Sequence, residues 1–207
     1  MANDTITARL AALETRLHEL EDREAIRDLL YRYARGADRC DLELFKSCYW
    51  PDGTDCHGFY NGNAHEFAEY VIPLLKEIRA SQHSITNPII QFDGDRAFVE
   101  SQWYVMHRIP LDDGRVVDQQ CEGRYLDVFE KRRGEWKILH RTFAAEAMRE
   151  HAQQDLTIDL PIAQPAVAKR APDDLSYLGF GILGLEVVPI GGVDLWGDAR
   201  GRHAARS

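Results

Sequence analysis

The apolar pattern of this chain changes period once, near residue 80, and that change limits the fold more than any motif. Before it, apolar residues recur three and four apart; after it, they alternate. Residues 5–34 read as a long helix. Within it Ile6, Leu10, Leu13, Leu17 and Leu20 form a coiled-coil-like stripe that shifts register to Ile26, Leu29, Leu30 and Tyr33. Two readings of residues 1–22 stay open: an arm that packs on a neighbouring subunit, or a helix folded back on its own domain. A second helix is expected over Leu42–Tyr49, ended by Pro51-Asp52-Gly53, and a strand over Thr54–Tyr60. Asn63, with Glu66 three residues on, is a good N-cap for a helix running to about Ala80 that buries Phe67, Val71, Leu74, Leu75 and Ile78.

Strands are then expected over 82–92, 95–109, 115–131 and 135–147. Asp93-Gly94-Asp95, Asp112-Asp113-Gly114 and Arg133-Gly134-Glu135 are the turns between them. Helices followed by a meander make an α+β domain over residues 23–150. Residues 151–207 form a C-terminal extension rich in Pro, Gly and Ala, with an apolar cluster at Tyr177–Val193. That cluster is too apolar for a solvated linker and is expected to fold over the domain, as a lid, or onto a neighbour.

Charge and cysteine usage narrow the partners. A formal net charge of −9 is the wrong sign for a phosphate-neutralising surface, so no nucleic-acid partner is expected. The first residues show no basic region leading into an apolar run, and no stretch has the length of a membrane span. The 4 cysteines, Cys40, Cys48, Cys56 and Cys121, lack metal-site or disulfide-scaffold spacing, which suits reduced thiols in a cytoplasmic protein.

Two side chains stand out for chemistry. Asp38 ends the first helix, and His83 begins the first strand of the meander. An imidazole with an ordinary pKa of ~6.5, oriented by a carboxylate, can move a proton near neutral pH. Each residue also has a plain structural reading. Asp38 could simply cap a turn, and a lone strand histidine is usually structural, as His18, His65 and His151 are taken to be. His107 shares strand parity with Trp103 and Val105, and Arg141 with Leu139 and Phe143. Arg141 therefore suits a pocket wall, or an interface salt bridge. Tyr31 and Tyr33 fit either core packing or a phenol donor, and His57 lies beyond the first turn, within reach of a pocket mouth.

Other patterns lead nowhere. Gly179–Gly184 fits GxGxxG without a strand–helix unit around it. The histidines lack HxH and HExxH spacing, so no metal and no cofactor is expected. No serine occupies a GxSxG elbow.

Arg23–Phe45, with Gln82-His83-Ser84-Ile85-Thr86-Asn87-Pro88, Gly94-Asp95-Arg96-Ala97 and Gly134-Glu135-Trp136-Lys137-Ile138, resembles SnoaL-like proteins of the nuclear-transport-factor-two-like superfamily. The resemblance covers roughly residues 20–150. It implies a cone: a curved antiparallel sheet wrapped around N-terminal helices, with a deep pocket in its mouth. It implies trimers, and cofactor-independent elimination by the family's dehydrochlorinases and dehydratases. The family's catalytic carboxylate and imidazole match Asp38 and His83, its pocket arginine matches Arg141, and a second histidine matches His107. The expected function is a lyase that removes water, halide or formaldehyde from a small hydrophobic, aromatic substrate. Tyr31, Tyr33, His57, Trp103 and Phe143 would line its site. An isomerase or cyclase of the same fold is the alternative, as is a non-catalytic binding module or an accessory subunit like the β subunit of ring-hydroxylating dioxygenases.

Overall fold

The structure is a computed structural model that describes residues 2–152 and 169–184. The chain divides into two units, Met1–Ala152 and Gln153–Ser207. The first unit has the helices α1 (Ala2–Arg39) and α2 (Leu42–Ser47) at its start and α3 (Ala64–Glu77) after its first two strands. Its strands are β1 (Tyr49–Cys56), β2 (Asn61–Asn63), β3 (Ala80–Asp93), β4 (Arg96–Pro110), β5 (Val116–Arg132) and β6 (Glu135–Ala152). They form one sheet in the order β2-β1-β6-β5-β4-β3. This is the α+β cone architecture, with Ile26, Leu29, Leu30 and Tyr33 of α1 packed among the buried residues of the sheet.

The meander follows the sequence closely because its turns are chemically specified. At Arg133 and Gly134 both central residues have positive φ, 54° and 84°, which sets the two-residue turn joining β5 to β6. Two irregularities bend the long strands. Asn87, at φ 53°, marks a register shift in β3, and another shift lies beside Gly123 in β5. Gly123 is required by space: a Cβ there would lie 2.1 Å from the Ala144 carbonyl oxygen and 2.7 Å from Cζ2 of Trp103.

Three features differ from the sequence expectation. The β1 strand pairs parallel to β6, so the sheet is mixed where an all-antiparallel one was expected. It also starts earlier, at Tyr49, because Pro51-Asp52-Gly53 is an irregularity inside the strand and α2 stops at Ser47. The α1 helix continues unbroken from the domain to Ala2, and Ile6, Leu10, Leu13, Leu17 and Leu20 remain 54–64% exposed. Among the described residues, nothing of the chain's own domain covers this stripe. Asp22, which accepts from Lys131 Nζ at 2.7 Å and Trp136 Nε1 at 2.8 Å, fixes the helix where arm meets domain.

In the second unit, Leu175–Gly184 form 3-10 turns with a kink at Gly179, and Asp174 accepts the backbone N–H groups of Lys169 and Ser176. Residues 153–168 and 185–207, on which most of the expected lid falls, lie outside the described residues.

Candidate active site

The position of Asp38 is set by how α1 ends. Cys40 adopts φ 53°, and the N–H groups of Cys40 and Asp41 return to the carbonyls of Ala37 and Gly36 at 3.1 and 2.9 Å. This Schellman-type stop satisfies the last carbonyls through the backbone, and Asp41 then caps α2 by accepting from Leu44 N. The Asp38 carboxylate is thereby left to the sheet. It accepts the Ser81 hydroxyl at 3.0 Å, and the His83 N–H lies 3.0 and 2.9 Å from its two oxygens. His83 Nδ1 lies 2.7 Å from Asp38 Oδ1. With Nδ1–H donating to the carboxylate, Nε2 is the basic edge of the ring.

His83 borders a cavity of about 270 Å³ between the helices and the inner face of the sheet. That volume lies just below the ~300–1,000 Å³ range of small-molecule sites. Alternation along β4 carries Trp103, Val105 and His107 into the same wall, and β6 adds Phe143, stacked on Trp103 at 4.6 Å. His107 meets His83 edge to face, with ring centroids 5.6 Å apart. Among the described residues, no Lys, Arg, Asp or Glu lines the cavity, whose polar groups come from imidazoles, tyrosines, the Trp103 indole, Gln119 and Cys121. Burial pushes the Cys121 thiol up, which makes it a poor nucleophile. Nor does any group of three or more His, Cys, Asp or Glu side chains converge to hold a metal among the described residues.

His57 also lines this cavity, and it belongs to a second imidazole–carboxylate pair. Its Nδ1 lies 3.0 Å from Asp55 Oδ1, while Tyr49 donates to Asp55 Oδ2 at 2.6 Å. The ring is clamped between Phe67 and Phe143, with centroids 4.7 and 4.5 Å away at shallow angles. Asp55 and Tyr49 were not singled out in the sequence. A signal existed, since Asp55 and His57 stand two apart within the expected 54–60 strand, which puts both side chains on one face.

Two expected site residues are placed elsewhere. Tyr31 is 51% exposed and does not border the cavity. At ~100° per residue it points roughly opposite to Tyr33, which does. Arg141 is fully buried behind the cavity wall rather than in it. It forms a two-pronged ion pair with Asp127, at 2.8 and 2.6 Å, and its guanidinium carbon lies 4.1 and 3.9 Å from the ring centres of Tyr33 and Tyr125. A strand residue sharing the parity of Phe143 faces inward, but a long side chain at that depth is absorbed by the floor.

Tyr33 and Tyr125 form that floor. Burial pushes the Tyr33 phenol up to about 12, against the opposing pull of Arg141, so it remains a proton donor throughout the neutral range. Below the ordinary tyrosine pKa of 10.0 its contribution to stability is complete, and it is lost as pH rises through about 12. A shift of that size corresponds to about 3 kcal/mol. The chain is thus expected to lose stability between those limits. Burial pushes the Tyr49 and Tyr125 phenols up as well. Tyr33→Phe should therefore lessen the loss without abolishing it, as read by unfolding midpoints and tyrosinate absorbance; an unchanged profile would show that this phenol is not held protonated by the fold.

The comparisons with known proteins agree with this architecture. Hexachlorocyclohexane dehydrochlorinase LinA-type3 from Novosphingobium barchaimii LL02 superposes with a TM-score of 0.60 at 19% identity, over 70% of this chain and 99% of that one. A protein provisionally assigned as a scytalone dehydratase, from Novosphingobium aromaticivorans DSM 12444, gives 0.58 at 18% identity, over 66% and 92%. The β subunit of a provisionally assigned aromatic-ring-hydroxylating dioxygenase from the same organism gives 0.52 at 18%, over 63% and 93%. At these identities the likeness establishes the fold. The model of the SnoaL-like domain matches residues 18–142, from the end of the helical arm to the strand that carries Arg141, and the chain belongs to that family.

Proposed function

We propose that this protein is a cofactor-independent lyase that eliminates water, halide or formaldehyde from a small, uncharged, aromatic substrate. The observation that carries the reading is the 2.7 Å contact between His83 Nδ1 and Asp38, made by a ring that borders an apolar cavity. For water or halide, His83 Nε2 takes a carbon-bound proton, the released pair forms the new double bond, and the bond to the leaving group breaks. For formaldehyde it takes the O–H proton of a hydroxymethyl group, the C–C bond breaks as formaldehyde forms, and the pair of that bond makes the double bond as a neighbouring hydroxyl departs. Asp38 stabilises the imidazolium that results. A halide departs as the anion. A departing hydroxyl needs a proton, and His57, in its protonated form held by Asp55, is the donor; solvent exchange then resets both rings. His107, beside His83, orients the substrate. The aromatic wall of Trp103, Phe143 and Tyr125 supplies ring-to-ring contact without fixed charge. Assembly as a homo-oligomer, a trimer by resemblance, and a cytoplasmic location complete the reading.

The isomerase alternative uses the same base and returns the proton to the substrate. The dioxygenase β subunit likeness supports an accessory role, but such a role gives no reason for two oriented imidazoles on one cavity. Incubating the purified chain with a panel of small aromatic alcohols and halides, with product detection, decides among them. An unsaturated product with released halide, water or formaldehyde is expected, and a chelator should leave its rate unchanged. Products isomeric with substrate would move the assignment to isomerase, and no turnover across the panel would favour the accessory role. Within the lyase reading, His57→Phe keeps the stacking with Phe67 and Phe143 but removes the donor. It should lower kcat on alcohols by about 10²-fold or more with KM little changed, and spare halides.

A further inference from the structure

The exposed arm of α1 carries a second pattern that its apolar stripe alone does not reveal. Placing Ile6, Leu13 and Leu20 at heptad position d and Leu10 and Leu17 at a puts Arg9 and Arg16 at g, and Glu14 and Glu21 at e. All of these side chains are exposed. In a parallel coiled coil, g of one strand faces e of the next heptad on its neighbour, so Arg9 meets Glu14 and Arg16 meets Glu21 of the other copy. In an antiparallel pair g faces g and e faces e, which opposes arginine to arginine and glutamate to glutamate. The charges therefore favour one orientation and penalise the other.

Two structural facts turn the stripe away from the domain that α1 packs on. The residues by which α1 packs on its own domain, Ile26, Leu29, Leu30 and Tyr33, lie roughly 160° around the helix from the stripe at ~100° per residue. A helix unbroken from Ala2 to Arg39 cannot turn both faces to one domain. The third g-position residue, Arg23, is already held by its own chain: it bonds Glu19, donates to the Ile90 carbonyl at 3.2 Å and lies 5.0 Å from the centre of the Phe92 ring. The coil thus ends where the domain begins, after about 21 Å of stripe from Ile6 to Leu20.

We propose that the arms of two or more copies of this chain associate side by side in a parallel coiled coil, which places their cone domains at the same end of the coil. The inference is independent of the catalytic reading.

Sedimentation of the full chain tests it with variants confined to the exposed arm. The native chain should be oligomeric, and Leu13→Glu with Leu17→Glu should raise its dissociation constant tenfold or more while circular dichroism of the folded domain persists. Glu14→Arg with Glu21→Arg should weaken association in the same direction, by setting arginine against arginine. Adding Arg9→Glu and Arg16→Glu to that variant should restore it. A monomeric native chain, or an oligomer indifferent to the leucine substitutions, would overturn the proposal. An oligomer indifferent to the charge substitutions would overturn it too, because antiparallel packing exchanges one repulsion for another and predicts no change.

Discussion

His83→Ala is expected to lower kcat by about 10²–10⁴-fold while the protein stays folded. The contrast between chemistry and stability is what makes the variant informative. Truncation removes the ring but not the backbone N–H, so Asp38 keeps the His83 amide and the Ser81 hydroxyl as donors. The stability cost is then that of one hydrogen bond to a charged group, about 1.5–3 kcal/mol, against the whole of the proton-transfer step. Asp38→Asn probes the partner. A carboxamide fills the same space but offers only one acceptor oxygen where two now accept, and it cannot offset the charge of an imidazolium. Its kcat should fall by a similar factor, with KM nearly unchanged and the pH dependence of kcat displaced. Undiminished turnover in His83→Ala would remove the imidazole from the mechanism. Undiminished turnover in Asp38→Asn alone would leave His83 as base and reduce Asp38 to a brace between α1 and β3.

What the sequence discloses about this fold is the part governed by local chemistry. The four long strands, the two-residue turn at Arg133-Gly134 and the Asn63 cap of α3, whose carboxamide accepts the N–H groups of His65 and Glu66, all answer to rules acting over a few residues. The parallel pairing of β1 with β6 does not, because it joins residues such as Asp55 and Arg141 that alternation cannot connect. The site divides along the same line. Parity placed Trp103, His107 and Phe143 on the cavity face, and helical period separates Tyr33 from Tyr31. Depth is not periodic. Nothing local in Arg141 says that Asp127, on the neighbouring strand, captures it behind Tyr33 and Tyr125 before it can reach the cavity. Asp55 was missed for a related reason: an acidic residue beside a turn reads as solvated until the fold buries it completely beneath Tyr49 and His57.

Arg141→Leu is expected to destabilise the domain by about 3–5 kcal/mol, because it strands a carboxylate that is wholly buried. At ~2–4 °C per kcal/mol for a domain of this size, the unfolding midpoint should drop by roughly 6–20 °C. The ion pair is not its only role. Asp127 binds two corners of the guanidinium, the faces of Tyr33 and Tyr125 flank it, and Nη1 has no hydrogen-bond partner among the described residues. Loss of the cation therefore loosens the floor of the cavity as well as unbalancing Asp127. Adding Asp127→Leu to Arg141→Leu removes the stranded charge and should recover a large part of the stability, since well-packed apolar groups can replace a buried ion pair at little net cost. The double variant separates the two roles that an arginine near an active site can have. If Arg141 only braces Tyr33 and Tyr125, turnover in the double variant should fall modestly and chiefly through KM. If it carries developing charge in the reaction, the double variant should be folded and inactive. Its position behind the tyrosines, outside the cavity lining, favours the first result.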